Sequence, residues 1–150
     1  MKIENIIKSP GMSTSKKVMM NIMYTQNVIG ENFNETMKEH DLSPEQFNVL
    51  RILRGQKGKP ANMCVIQERM IAKTSNTTRL VDKLLLKKLV TREVCEENRR
   101  KMEILITEKG LELLKELDPL VEGHEEKFAN NLTPTELEQL NTLLEKYRTI

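Results

Sequence analysis

Three adjacent cations, Arg99, Arg100 and Lys101, and an earlier set of short polar and basic side chains, Ser75, Asn76, Thr78, Arg79 and Lys83, are the residues best suited to chemistry at a surface. Guanidinium and ammonium groups neutralise phosphates, and Ser, Asn and Thr side chains reach base edges or phosphates without steric conflict. Charge gathers in the same window. Arg69 to Lys101 holds ten basic residues against four acidic ones, a balance of +6, in a chain whose net charge is only +2. A nearly neutral protein that concentrates its cations in this way has the electrostatics that binding to a nucleic acid backbone requires.

These side chains need a scaffold, and residues 62–107 supply one. Asn62 is a cap for a short helix through about Arg69. A second helix follows Ile71-Ala72-Lys73, capped by Thr74 or Ser75, with Thr77, Leu80, Val81 and Leu84 turned inward. At about 100° per residue, Ser75, Arg79, Asp82 and Leu86 fall on the outward face, with Asn76, Thr78 and Lys83 on its flanks. Alternating segments at Leu89–Cys95 and Lys101–Thr107 read as two strands joined by Glu96-Glu97-Asn98-Arg99-Arg100. Helix, turn, helix, strand, turn, strand is the order of a winged helix-turn-helix, which places one helix in the major groove of a duplex and a basic hairpin on the flanking backbone.

The rest of the chain is helical in pattern, so the expected fold class is mainly α with a small β-hairpin wing. Residues 1–12 contain Pro10-Gly11 and no helical period, and are expected to form a mobile or swapped arm. Val18, Ile22, Ile29, Phe33 and Met37 make one stripe of a helix from Ser13 to about His40, weakened locally at Gly30. Ser43-Pro44-Glu45-Gln46 opens another helix, which Gly55, Gly58 and Pro60 end. Thr107-Glu108-Lys109-Gly110 starts a long helix that Pro119 is expected to kink or interrupt. Thr133-Pro134-Thr135-Glu136 starts the last, with Leu137, Leu140, Leu144 and Tyr147 along one side.

Both chain ends thus carry apolar stripes beyond what a small head needs. Leaving each large aliphatic side chain wet forgoes about 1.5–3 kcal/mol, and a second copy of the same chain is the economical cover. One domain spanning 1–150 is expected, with 43–107 as the DNA-binding region and 13–40 and 108–150 as dimerisation helices. Two such heads about 34–36 Å apart would read an inverted repeat on double-stranded DNA.

Composition excludes other classes. Five aromatic residues and no Trp make a base-stacking platform for single strands unsuitable. No segment is apolar for long enough to span a bilayer, and there is no secretory leader, so no membrane partner is expected and the chain reads as cytoplasmic. Cys64 and Cys95 lie in no metal-ligand spacing, and His40 and His124 are isolated, so neither a metal nor a cofactor is expected. No phosphate loop or nucleophile elbow points to an enzyme. Met20, Met23 and Tyr24 form a flexible apolar set with one polar handle, suited either to an interface or to the lining of a small-molecule pocket.

The chain resembles the MarR family of bacterial transcriptional regulators from about Ser13 to Arg148. The resemblance rests on Leu42-Ser43-Pro44-Glu45-Gln46-Phe47-Asn48-Val49-Leu50, Thr78-Arg79-Leu80-Val81-Asp82-Lys83-Leu84, Leu89-Val90 before Arg92, the turn Asn98-Arg99-Arg100, and Leu105-Ile106-Thr107-Glu108-Lys109-Gly110. It implies a homodimer with intertwined terminal helices, repression of target genes, and release by a small aromatic or lipophilic effector. It also implies major-groove contacts from Ser75, Asn76, Thr78 and Arg79, and wing contacts from Arg99 and Arg100. One departure stands out: the family's wing usually has Asp where this chain has Asn98, so the orienting of the next arginine passes to Glu97 or weakens. The competing readings are a winged-helix module that binds an acidic protein and a cysteine-based redox regulator.

Overall fold

The computed structural model describes residues 1–150. Its elements in chain order are α1 (Ile3–Ile6), α2 (Thr14–Lys38), α3 (Pro44–Gly55), α4 (Met63–Arg69), α5 (Thr77–Leu86), β1 (Val90–Val94), β2 (Met102–Ile106), α6 (Glu108–Ala129) and α7 (Pro134–Tyr147). Contacts divide the chain into two compact parts, Met1–Pro44 and Glu45–Ile150. The mainly helical class with one two-stranded hairpin is the one the sequence implies.

In the first part, Ser13 opens α2 by accepting a hydrogen bond from the Lys16 amide at 3.3 Å. Gly30 does not break this helix. Residues 1–12 are not a loose arm. Ile3 and Met12 are buried, and Glu4 of α1 pairs with Lys17 of α2, a hydrogen bond that holds the Glu4 carboxyl below its ordinary range. A short apolar anchor plus one ion pair orders a segment that has no periodicity long enough to register as a helix. Along α2, Val18, Met19, Met23, Tyr24, Val28 and Ile29 are all exposed.

In the second part, α3 is the central element. Gln46 through Leu50, together with Ile52 and Leu53, are buried, so the helix is covered nearly all round. Ile66 of α4, Val81 and Leu84 of α5, Ile104 of β2, and Leu114 and Leu117 of α6 complete the core at zero exposure. The buried Gln46 is satisfied by the Lys87 ammonium, which donates to Oε1 at 2.9 Å. Arg54 of α3 donates both guanidinium nitrogens to the Asp118 carboxylate of α6, at 3.0 and 2.9 Å.

The two strands pair antiparallel in the register Val90 to Ile106, Arg92 to Ile104 and Val94 to Met102. A further bridge, which no sequence pattern announces, lies on the other edge of β2. Ala61 and Ile104 exchange both backbone hydrogen bonds, at 3.0 and 2.8 Å. Thr107 then turns the chain into α6. Its hydroxyl donates to the Lys88 carbonyl at 2.8 Å and accepts from the Gly110 amide at 3.1 Å. A Cβ at Gly110 would meet the Leu89 carbonyl oxygen at 2.5 Å, so only glycine fits where α6 passes the base of the hairpin.

Pro119 does not interrupt α6, which runs on to Ala129. Buried Leu114 and Leu117, with the Arg54 clasp on Asp118, hold the turn before it, and the helix continues despite the missing donor. α7 opens on a complete capping box, in which the Thr133 amide donates to the Glu136 carboxylate at 2.8 Å and Thr133 Oγ1 accepts from the Glu136 amide at 3.3 Å. These donors hold the Glu136 carboxyl below its ordinary value. No residue of α7 is buried, and Leu140, Leu143 and Tyr147 are exposed.

Candidate nucleic-acid interface

The helix-turn-helix is built from α4, the segment 70–76 and α5. Asn62 caps α4 by accepting from the Val65 amide at 3.0 Å. One side chain then braces the turn. Gln67 donates its amide to the Lys73 carbonyl at 2.6 Å and accepts from the Thr77 hydroxyl, while the Lys73 ammonium reaches the Glu68 carbonyl. Nothing in the sequence pattern marks Gln67 for this part. A polar residue at the end of a short helix carries no periodic signal, so only the closed turn reveals it.

The cap of α5 is Asn76, not Thr74 or Ser75. Its side-chain oxygen accepts from the Arg79 amide at 3.1 Å, and the helix begins at Thr77. Ser75 instead donates its amide to the Ala72 carbonyl at 3.1 Å, which spends it on the preceding turn. Asn76 therefore keeps only its amide NH2 for a partner outside the chain. Thr77, Val81 and Leu84 face the core as expected, and Thr78, Arg79, Asp82, Lys83 and Leu86 are exposed.

Arg79 does not pair with Asp82, three residues on along the same helix. Asp82 accepts instead from Arg92 of β1 at 3.0 Å, and the Arg79 guanidinium forms no ion pair. Three of the ten basic residues in the charged window are turned to internal work. Lys87 holds Gln46, Lys73 holds the Glu68 carbonyl, and Arg92 holds Asp82. The free cations are thus fewer than the window's balance implies.

The wing tip is shaped by Asn98. Its side-chain oxygen accepts from the Arg100 amide at 3.1 Å, its carbonyl accepts from the Lys101 amide at 2.9 Å, and Cys95 closes the turn onto the Lys101 carbonyl at 3.0 Å. This tight turn leaves Arg99, Arg100 and Lys101 all exposed. Asn98 thus folds the tip backbone rather than orienting a guanidinium, a local role that Asn and Asp perform alike. Cys64 is exposed at the start of α4 and Cys95 is half-buried. Met20, Met23 and Tyr24 lie along α2, Met20 half-buried and the other two exposed.

No grouping of His, Cys, Asp and Glu could hold a metal ion. No helix is long and apolar enough to cross a membrane.

Residues 42–102, the stretch from just before α3 to the first residue of β2, match the MarR family model. The chain is 30% identical over 120 residues to YkoM of Bacillus subtilis strain 168, an uncharacterized HTH-type transcriptional regulator, covering 79% of this chain and 75% of that one. It superposes on a MarR transcription factor from Planctomyces limnophilus at 30% identity and a TM-score of 0.71, covering 90% of this chain and 98% of the other. It also has the fold of a mutant E. coli MarR complexed with operator DNA, at 20% identity, a TM-score of 0.78, and 92% and 100% coverage. Two helices joined by a braced turn, an arginine-tipped hairpin and these likenesses converge: the chain belongs to the MarR family.

Proposed function

We propose that this protein is a homodimeric transcriptional regulator that binds an inverted-repeat operator on double-stranded DNA. The observation that carries the reading is the pairing of two exposed elements joined by a three-residue turn. The outward face of α5 offers Thr78, Arg79 and Lys83, and the adjoining hairpin offers Arg99, Arg100 and Lys101. The first set suits base edges and nearby phosphates in the major groove. The second suits phosphates or a narrow minor groove. Ser75 and Asn76, at the start of α5, contribute a hydroxyl and an amide NH2.

The exposed apolar stripes of α2 and α7 support a second copy as the cover, since nothing in the chain buries Leu140, Leu143 or Tyr147. Repression is part of this reading, as is release by a small aromatic or lipophilic effector lodged near Met20, Met23 and Tyr24. The likeness to the operator-bound E. coli protein supports duplex DNA as the target, and relatives described as transcriptional regulators support a non-enzymatic role. In this reading 43–107 is the DNA-binding region, and 13–40 and 108–150 hold the dimer together.

Binding of labelled duplex followed by anisotropy across a salt series tests the reading, with sedimentation in parallel. Three to five phosphate contacts per subunit give a log–log slope of about −0.9 for each contact, from a protein sedimenting as a dimer. Affinity that ignores salt, or a monomer without duplex affinity, would overturn it.

A further inference from the structure

The hydrogen bond between Arg92 and Asp82 has no evident purpose in stability. The two side chains are 37% and 54% exposed, and a pair so open to water contributes only about 0–1 kcal/mol. Asp82 is also a carboxylate on the outward face of a basic helix, where it repels the phosphates that its neighbours attract. What the pair does is geometric. Arg92 stands on β1 directly opposite Ile104, whose side chain is fully buried and whose backbone is tied on its far edge to Ala61. It is thus seated on the rigid base of the hairpin, and its guanidinium reaches 3.0 Å from a carboxylate on α5.

The covalent connection between these elements is only Lys87-Lys88-Leu89, and Lys88 takes a left-handed conformation there, at φ 60°. From this, and resting on the duplex-binding reading above, we propose that Asp82 is a positioning residue for DNA recognition. It holds Arg92, and through it the hairpin, at a fixed angle to α5, so that helix and wing engage one duplex in register. The turn at Lys88 and the buried core of Val81, Leu84 and Ile104 already join the two elements, and the Arg92–Asp82 pair adds a tie at the surface. A rival account makes Arg92 a phosphate ligand that Asp82 merely holds back. The two accounts predict opposite signs.

The test uses two labelled duplexes, one enriched by the parent protein from a random-sequence library and one unselected. Asp82→Asn removes a negative charge, so simple electrostatics would tighten both complexes. The positioning role predicts instead that affinity for the enriched duplex falls about tenfold while the unselected duplex binds as well or better, and that Asp82→Asn adds little to Arg92→Ala in the double variant. Asp82→Glu, which keeps the carboxylate, should recover part of the loss. Unchanged melting temperatures confirm that folding is not at issue. If Asp82→Asn binds the enriched duplex as tightly as the parent or more tightly, the positioning role is wrong while the duplex-binding reading survives. If the parent enriches no duplex and binds neither, both fall.

Discussion

α3 and α7 are similar lengths of amphipathic helix, yet one is buried nearly all round and the other has no buried residue. In α3 the neighbours are supplied by the chain itself: α4, α5, β2 and α6 all contribute fully buried side chains to the same core. In α7 the stripe of Leu140, Leu143 and Tyr147 faces water. The difference separates what the head needs to fold from what remains for assembly. An apolar stripe states only that something covers it, and the cover comes from elsewhere in the chain for α3 and, in our proposal, from a second copy for α7.

Breaking the core side of this comparison should give the largest effect. Leu84→Ala leaves a cavity under α5 and should cost about 2–5 kcal/mol in denaturant unfolding, with DNA binding lost in proportion to the unfolded fraction. Gly110→Ala should cost about 1–3 kcal/mol, because the added methyl meets the Leu89 carbonyl rather than a side chain that can move. Lys88→Gly should gain about 1 kcal/mol by relieving the left-handed backbone between α5 and β1.

The uncovered side sharpens the comparison through concentration rather than depth. Leu143→Asp should leave the monomer's fold intact and raise the dimer dissociation constant by at least about tenfold, read by sedimentation over a dilution series. A variant that loses folding stability while its dimer dissociation constant stays at the parent's value would reverse the assignment. The smallest effect concerns the α7 cap. Glu136 has its carboxyl pKa depressed by the Thr133 donors, so its contribution is present above the ordinary value of 4.5 and is lost as pH falls through the lower folded value. Glu136→Gln should therefore flatten the acid limb in that window, lowering stability slightly at neutral pH and leaving it unchanged at acid pH, where the native carboxyl is already protonated.

The head was legible because its signals are local and repeated. Period 3.6 around Val81 and Leu84, alternation around Ile104, and Thr107 before Gly110 each specify an element without reference to the rest of the chain. The parts that escaped depend on partners distant in sequence. Ala61 joins β2 across more than forty residues, Gln67 braces a turn that exists only once α5 is docked, and Asp82 chooses Arg92 over the nearer Arg79. The charge balance of the window was visible, but not its division between cations left outward and cations such as Lys87 used internally. The α5 cap, expected at Thr74 or Ser75, lies at Asn76, because all three residue types cap well and type alone does not decide among them.

The most direct test compares the salt dependence of duplex binding for the parent with that of the Arg99→Ala, Arg100→Ala double variant. Loss of two phosphate contacts per subunit should flatten the log–log slope by about 1.8 for each head while the protein still sediments as the parent does. A double variant with the parent's slope and affinity would contradict the claim that this hairpin grips DNA.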